Sequence, residues 1–253
     1  MSCLTVCRLV LPVDQRIRDV LAGERLAVWA KVGEVRMTLF FCGHHLIASD
    51  FIATSVRSTS SYSDYPMGAW ASNDESGIRN YPYSLDKTIN PSVYETLDKP
   101  GYWGVHAIGE VWAEMLWVLQ QRLIEKHGFS ETLFPPVPDA DGTLPPNDFY
   151  RPQTFNSLTG ASDPLVPKHG NTLLLQLLLD GMKMQPCSPG FIEARDAIIE
   201  ADKVLTGGEN LCDLWEGFAT RGLGVNAKIV GSTPWGGGSR SNVSHYYHFT
   251  DLT

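Results

Sequence analysis

Apolar residues recur at helical spacing in most of the chain after residue 49, and this pattern predicts a mainly helical protein. The longest stretch covers residues 102–127, follows Pro100-Gly101, and ends at Gly128, a residue suited to the positive φ of a helix end. Its apolar positions cover a broad face, so we expect a buried central helix. The same spacing predicts helices at residues 171–184, 191–205 and 209–221, and the end of a helix at 50–57.

Four other stretches lack this periodicity. Residues 58–98 are polar and rich in aromatic residues, and residues 231–244 are rich in glycine. Residues 135–164 are rich in Pro, Asp, Asn and Gly, a composition typical of a long irregular surface loop. Residues 1–48 have weak periodicity and no clear helix caps. We therefore expect the ordered structure to begin near Asp50.

Composition and charge narrow the class of protein. The 253 residues are 43% hydrophobic and 19% charged, which is typical of a globular chain. A formal net charge of -8 argues against a nucleic acid or an anionic membrane as partner. No apolar run approaches the roughly 18 residues of a membrane span. Arg8, Asp14, Arg16 and Arg18 interrupt the apolar residues near the start, so no signal peptide is predicted there.

The five cysteines are Cys3, Cys7, Cys42, Cys187 and Cys212. An odd number cannot pair completely within the chain. Cys187 and Cys212 are the candidate disulfide if the protein is extracellular, and the alternative is a pair of buried free thiols.

One helical stripe carries candidate chemistry. His106, Glu110 and Glu114 follow one another at steps of four and therefore share one face of the predicted helix. A histidine with a carboxylate can act as a proton donor with an orienting partner, or as two metal ligands. The alternative is a pair of surface side chains near a helix start, and spacing alone favours this alternative.

Two other motifs give weaker signals of metal binding. Asp139-Ala140-Asp141-Gly142 resembles the start of a calcium loop, but Tyr150 occupies the twelfth position, where such a loop needs a carboxylate. An acidic surface turn is therefore predicted. His44-His45 has no evident third ligand, and adjacent histidines in an extended segment face opposite ways.

Four long strings resemble the fungalysin family of fungal zinc metalloproteases. They are YWGVHAIGEVWAEMLW at 102–117, KHGNTLLLQLLLDGMKMQPC at 168–187, ARDAIIEADKVLTGGENLCDLW at 194–215 and GFATRGLGVNA at 217–227. The resemblance covers most of residues 50–237. It implies the helical C-terminal subdomain of a thermolysin-like metalloendopeptidase, an extracellular location, and a protein or peptide substrate. In such proteins zinc is held between this subdomain and an N-terminal one.

The zinc ligands of the family are missing from this sequence. The family takes two zinc histidines and a general base from an HEYTH helix, and a third ligand from the glutamate of GEGW(S/G)DF. The chain contains no HExxH, and alignment on Asp50-Phe51 places Leu46 at the position of that glutamate. We therefore expect no metal ligands, no bound zinc and no protease activity from the chain as written. The alternatives are a non-catalytic helical module that binds protein and the nonfunctional product of an incorrect gene model.

Three residues match other functional positions of the family. Asp50 matches an aspartate that orients a zinc-bound histidine without touching the metal. His106 matches the histidine that stabilises the oxyanion or donates a proton. Arg79, in Gly77-Ile78-Arg79-Asn80, aligns with an arginine that binds a substrate carbonyl.

A shift of reading frame can explain the missing ligands. Codons for residues 28–33, read two bases later, can encode Met-Gly-Glu-Gly-Trp, which contains the family's third-ligand motif. In the same shifted frame, codons for residues 3–7 can encode Ser-Asn-Arg-Leu, the run that follows HEYTHG in the family. We predict that residues 1–48 are frameshifted, with intron-derived sequence at 35–48, and a genuine but divergent N-terminus is the alternative. Residues 49–235 are then the fungalysin-like subdomain, and residues 236–253 are a divergent tail.

Overall fold

The computed structural model describes residues 49–155, 158–186, 189–230 and 239–241. Within these ranges the chain is mainly helical, as predicted. In chain order the elements are helix α1 at Ser49–Arg57, α2 at Ala69–Ser72, a 3₁₀ turn at Tyr94–Asp98, α3 at Val105–His127, α4 at Gly170–Met184, α5 at Phe191–Thr206, α6 at Leu211–Thr220, and strands β1 at Lys228–Val230 and β2 at Ser239–Ser241.

Helix α3 is the centre of the bundle. Every residue from 109 to 120 is buried, so the helix is covered on all sides rather than on one face. Helices α1, α4 and α6 contact it, and α5 packs against α4 and α6. Trp112 of α3 lies edge-on to Phe191, with ring centroids 5.1 Å apart, and stacks on Phe218 at 6.0 Å. The prediction of a buried central helix is confirmed.

Polar side chains hold the α5–α6 connection against the C-terminal end of α3. The carboxylate of Asp202, which is fully buried, accepts hydrogen bonds from the Asn210 backbone N–H at 3.0 Å and from its Nδ2 at 2.7 Å. Asn210 Oδ1 in turn lies 2.7 Å from His127 Nε2. This chain of contacts joins the α5–α6 connection to the C-terminal end of α3.

The predicted helix ends agree with the structure to within three residues. The largest difference is at α3, which begins at Val105 because Gly104 is still extended, with φ -87° and ψ 149°. Two short elements, α2 and the 3₁₀ turn, lie in the stretch at 58–98 that was expected to be loops and turns. The prediction of a loop throughout 231–244 is wrong at β2, which pairs with β1 in antiparallel register.

Several predictions fall outside the described residues, among them those for residues 1–48, His44-His45 and Cys187. Cys212 is exposed, which argues against a buried thiol at that position. Its disulfide with Cys187 stays a prediction. In the part of the chain that the structure describes, none of the helices combines the length and apolar character needed to cross a membrane.

Candidate active site

Asp50, in the first turn of α1, forms a partly buried ion pair with Arg79. Asp50 Oδ2 lies 2.6 Å from Arg79 Nε, and Oδ1 lies 3.0 Å from Nη2, so the carboxylate binds the guanidinium with both oxygens. The Tyr83 hydroxyl donates a third hydrogen bond to Oδ2 at 2.7 Å. A two-pronged contact of this kind fixes the orientation of the guanidinium plane as well as its position.

The charges of this group are coupled. Burial, together with the negative charge of Asp50, raises the pKa of Tyr83, so its hydroxyl remains a donor. The hydrogen bond to Asp50 raises the pKa of Arg79. Two predicted site residues thus touch each other, which sequence reasoning did not anticipate. It also missed Tyr83, because this residue lies in an irregular stretch where no spacing rule applies.

Glu110 of α3 holds the residue that follows Arg79. Its Oε2 accepts the Asn80 backbone N–H at 3.0 Å, and its Oε1 accepts a hydrogen bond from Asn80 Nδ2. The Tyr102 hydroxyl also faces this carboxylate: burial and the charge of Glu110 together raise the pKa of Tyr102 to about 12. Glu110 is buried, so the interpretation of His106 and Glu110 as a surface pair is wrong for the glutamate.

His106 is exposed in the first turn of α3. Among the described residues no hydrogen bond joins it to Glu110, whose oxygens are taken by Asn80. The side chain lies one turn from Glu110, about 6 Å along the helix axis. An exposed imidazole next to an anchored helix turn can meet a ligand and donate or accept a proton there.

The segment 79–83 brings the predicted residues to one edge of the bundle. Arg79 reaches α1 through Asp50, and the adjacent Asn80 reaches α3 through Glu110, one turn from His106. Asp50, Arg79 and His106 are called the half-site below. The half-site presents one fixed cation and one exposed imidazole, which suits the binding of a carbonyl oxygen and of the negative charge that develops on it.

A third buried carboxylate, Glu114, lies one turn beyond Glu110 on α3. Glu114 forms an ion pair with Arg221, and both side chains are fully buried. Glu114 Oε2 also accepts hydrogen bonds from Asn90 Nδ2 at 2.8 Å and the Ser84 backbone N–H at 3.2 Å. Arg221 donates to the Asn90 carbonyl at 2.6 Å and the Ser84 carbonyl at 2.5 Å. The pair therefore anchors the segment that carries Arg79.

The described residues do not fit a zinc ion. Within these ranges, no group of three or more His, Cys, Asp or Glu side chains is placed to hold a metal. The nearby carboxylates already have partners: Asp50 binds Arg79, Glu110 binds Asn80 and Glu114 binds Arg221. The structure thus gives no support to the interpretation of His106 and Glu110 as two metal ligands.

The acidic motif at 139–142 forms a turn. The Asp139 N–H donates to the Thr143 carbonyl at 2.8 Å, and the Thr143 N–H donates to Asp141 Oδ1 at 2.9 Å. Gly142 takes a φ of 84° to close it. The predicted acidic surface turn is confirmed, since these residues are exposed.

Comparison with known proteins identifies relatives for most of the described residues. The model of the fungalysin metallopeptidase (M36) family matches residues 47–227. An extracellular metalloproteinase of Pyrenophora tritici-repentis is 47% identical over 182 residues, which are 71% of this chain and 24% of that protein.

Two further relatives give similar coverage. The extracellular metalloproteinase MEP of Leptosphaeria maculans is 44% identical over 188 residues, and the extracellular metalloproteinase mep of Aspergillus fumigatus is 42% identical over 193. Each match covers 73% of this chain and 26% of the relative. The chain thus spans about a quarter of the length of these relatives.

Proposed function

Because this chain belongs to the fungalysin family of metallopeptidases, we propose that residues 49–235 supply the substrate-facing half of a zinc-dependent endopeptidase that acts on extracellular proteins. The observation that carries the proposal is the half-site: Asp50 holds the Arg79 guanidinium with two hydrogen bonds, at the edge where His106 is exposed. The names of the relatives support both the protease class and the extracellular location.

Arg79 and His106 have separate roles in this proposal. The guanidinium of Arg79 binds a carbonyl oxygen of the peptide and aligns it. His106 donates a hydrogen bond or a proton to the oxyanion as the tetrahedral intermediate forms. Asp50 and Tyr83 keep the guanidinium in place, and in a zinc-loaded protease Asp50 would also orient a histidine that holds the metal.

The 253 residues by themselves do not hydrolyse peptides. The sequence holds no HExxH motif, and the carboxylates near the half-site are engaged by other side chains. Among the described residues no group is then available to activate a water molecule, and His106 and Arg79 can bind a peptide without cleaving it. The HEYTH and GEGW helices of the family would hold the metal and supply the general base.

Restoring those helices tests the proposal. An in-frame segment from HEYTH to GEGW is joined to Asp50 onward, together with the N-terminal subdomain and prosegment of the family. We expect this repaired protease to hydrolyse casein, whereas the 253-residue chain does not. A repaired protein with alanines in place of both HEYTH histidines is the control. A repaired protein that folds and binds zinc but leaves casein intact would contradict the proposal.

A non-catalytic protein-binding module is the second candidate function, and exposed apolar side chains near the half-site favour it. Trp70 is 81% exposed and Trp103 is 80% exposed. Ile78 and Val105, which directly precede Arg79 and His106 in the chain, are more than half exposed. Aromatic side chains at such a surface are frequent anchors in protein interfaces. Calorimetric titration of the 253-residue chain with unfolded casein tests this, with Trp70→Ala/Trp103→Ala as the matched variant.

A further inference from the structure

We propose that Glu110 is a positioning residue, which sets where the Arg79 backbone lies relative to His106. The part of the proposal that concerns catalysis rests on the proposed function above. The structural part concerns only this chain, because it follows from contacts between α3 and the segment 79–80.

Both carboxylate oxygens of Glu110 accept hydrogen bonds from the same residue, Asn80. Oε2 accepts the Asn80 backbone N–H at 3.0 Å, and Oε1 accepts a hydrogen bond from the Asn80 side chain. Binding a backbone N–H and a side-chain amide together fixes both the position and the direction of the chain at Asn80. Since Arg79 is the adjacent residue, its backbone is fixed as well.

The buried environment of Glu110 makes it unfavourable for Asn80 to move away. The carboxylate is buried, and no lysine, arginine or histidine among the described residues forms an ion pair with it. A buried carboxylate without a cation depends on hydrogen-bond donors to offset the loss of water, so displacement of Asn80 is unfavourable. Glu114, one turn further along α3, differs because the Arg221 guanidinium contacts it.

Arg79 is thereby held at both ends. Asp50 of α1 binds the guanidinium, and Glu110 of α3 holds the backbone through Asn80. The contact to Asp50 alone would leave the long side chain free to pivot with its backbone. His106 lies on the same helix as Glu110, so the second contact relates the Arg79 backbone directly to His106. Small displacements of a substrate-positioning group can lower turnover by about 100-fold.

Solvent exchange of the Arg79 Hε proton tests the structural part in the 253-residue chain. This proton is donated to Asp50 Oδ2 at 2.6 Å, so NMR should find its exchange slow. We expect Glu110→Ala to accelerate the exchange by about tenfold, because local opening becomes easier when the backbone is released. Glu110→Gln should stay close to wild type, since its carbonyl can still accept the Asn80 N–H. Backbone amides of α4, α5 and α6 should not change.

Two controls keep this measurement decisive. Glu125→Ala removes an exposed glutamate from the same helix and should leave Arg79 exchange unchanged. If Glu110→Ala does not fold, Asn80→Ala removes only the side-chain donor and should give a smaller acceleration in the same direction. Arg79 exchange that is equal to wild type in whichever of these two variants folds would overturn the proposal.

Kinetics of the repaired protease test the catalytic part. We expect Glu110→Ala to lower kcat by about 10- to 100-fold with KM changed by less than about threefold, and Glu110→Gln to recover most of kcat. Full kcat in Glu110→Ala would refute a catalytic consequence. If the repaired wild type were inert, the proposed function would fail, while Arg79 exchange in the 253-residue chain would still decide the role of Glu110.

Discussion

Three buried carboxylates hold the irregular segment 79–92 against helices α1 and α3. Asp50 contacts the Arg79 guanidinium and Glu114 contacts that of Arg221, whereas Glu110 receives only neutral donors. The first two are ion pairs whose net effect on stability depends on how completely their hydrogen bonds offset desolvation. Through these contacts Arg79 is held by Asp50, and the adjacent Asn80 is held by Glu110 on α3.

Glu114 should make stability depend on pH. Burial raises its pKa to about 8, although the positive charge of Arg221 acts in the opposite direction. The folded state then binds a proton more strongly than the unfolded state does, where the pKa is about 4.3. The resulting contribution to the free energy of unfolding is complete below about pH 4.3 and declines as the pH rises towards 8.

Urea unfolding of wild type and Glu114→Gln at several pH values measures this contribution, because glutamine does not titrate. We expect the free energy of unfolding of wild type, relative to the variant, to fall between about pH 5 and pH 8. Glu125→Gln on the same helix is the control and should show no such trend. A difference that stays constant over this range would show that Glu114 does not titrate there.

His106→Ala in the repaired protease should lower kcat by about 100-fold or more and change KM little. A group that acts on the developing charge contributes mainly in the transition state, so its loss appears in turnover. Steady-state hydrolysis of a peptide substrate measures both constants, and Glu125→Ala serves as the exposed control. Unchanged turnover in His106→Ala would mean that the assigned role is wrong.

The sequence could identify the half-site residues but not their contacts. Asp50, Arg79 and His106 were found by resemblance to family strings, while Asn80 and Tyr83 contact Glu110 and Asp50 across 30 and 33 residues of chain. No periodic pattern spans such a gap. Spacing correctly placed Glu110 and Glu114 on one helical face. It could not show that segment 79–92 covers that face and buries both.

Among the secondary-structure elements, the long helices can be predicted from the sequence and the short elements cannot. Helices α3, α4 and α5 are long enough for several turns of apolar periodicity, and their positions follow from it. The 3₁₀ turn at Tyr94–Asp98 is too short for any period and depends on a distant contact, since the Tyr94 N–H donates to the Arg221 carbonyl at 2.8 Å. Strand β2 likewise depends on distant partners, since it pairs with β1 and its Arg240 side chain forms an ion pair with Asp98.

The contact between α3 and α4 should not tolerate a side chain at Gly170. A Cβ there would lie 2.1 Å from the Leu123 carbonyl carbon, and backbone atoms cannot move aside locally. We expect Gly170→Ala to lower the free energy of unfolding by about 3 kcal/mol or more, as severe overpacking does. Denaturant unfolding measures the loss.

Gly104→Ala is the matched control for Gly170→Ala. Nothing lies within 4 Å of a Cβ at Gly104, and its φ of -87° is open to any residue. We expect a change of less than about 1 kcal/mol, because only a helix N-cap preference is altered. Equal losses in the two variants would show that α4 can shift away from α3.

At the scale of the whole molecule, the 253-residue chain should bind no zinc in stoichiometric amount. Within the described residues the nearby carboxylates are engaged and no cluster of suitable ligands occurs. Elemental analysis of the purified chain after dialysis checks this expectation. One tightly held zinc per chain, lost on His45→Ala, would contradict it and would assign the ligands to His44-His45 and residues near them.

The family pattern breaks off at the boundary between residues 1–48 and Asp50. The family match begins at residue 47, and Asp50 fits the aspartate of GEGW(S/G)DF, yet Leu46 stands where the ligand glutamate belongs. Codons for residues 28–33, read two bases later, can encode Met-Gly-Glu-Gly-Trp, which contains the Gly-Glu-Gly-Trp that precedes this aspartate in the family.

A transcript sequenced across codons 28–50 should therefore join Gly-Glu-Gly-Trp in frame to Asp50, with sequence for residues 35–48 removed. The codons for 102–117 in the same transcript are the control, because they should remain as written. A transcript that encodes residues 28–50 unchanged would refute the frameshift and favour a genuine, divergent N-terminus.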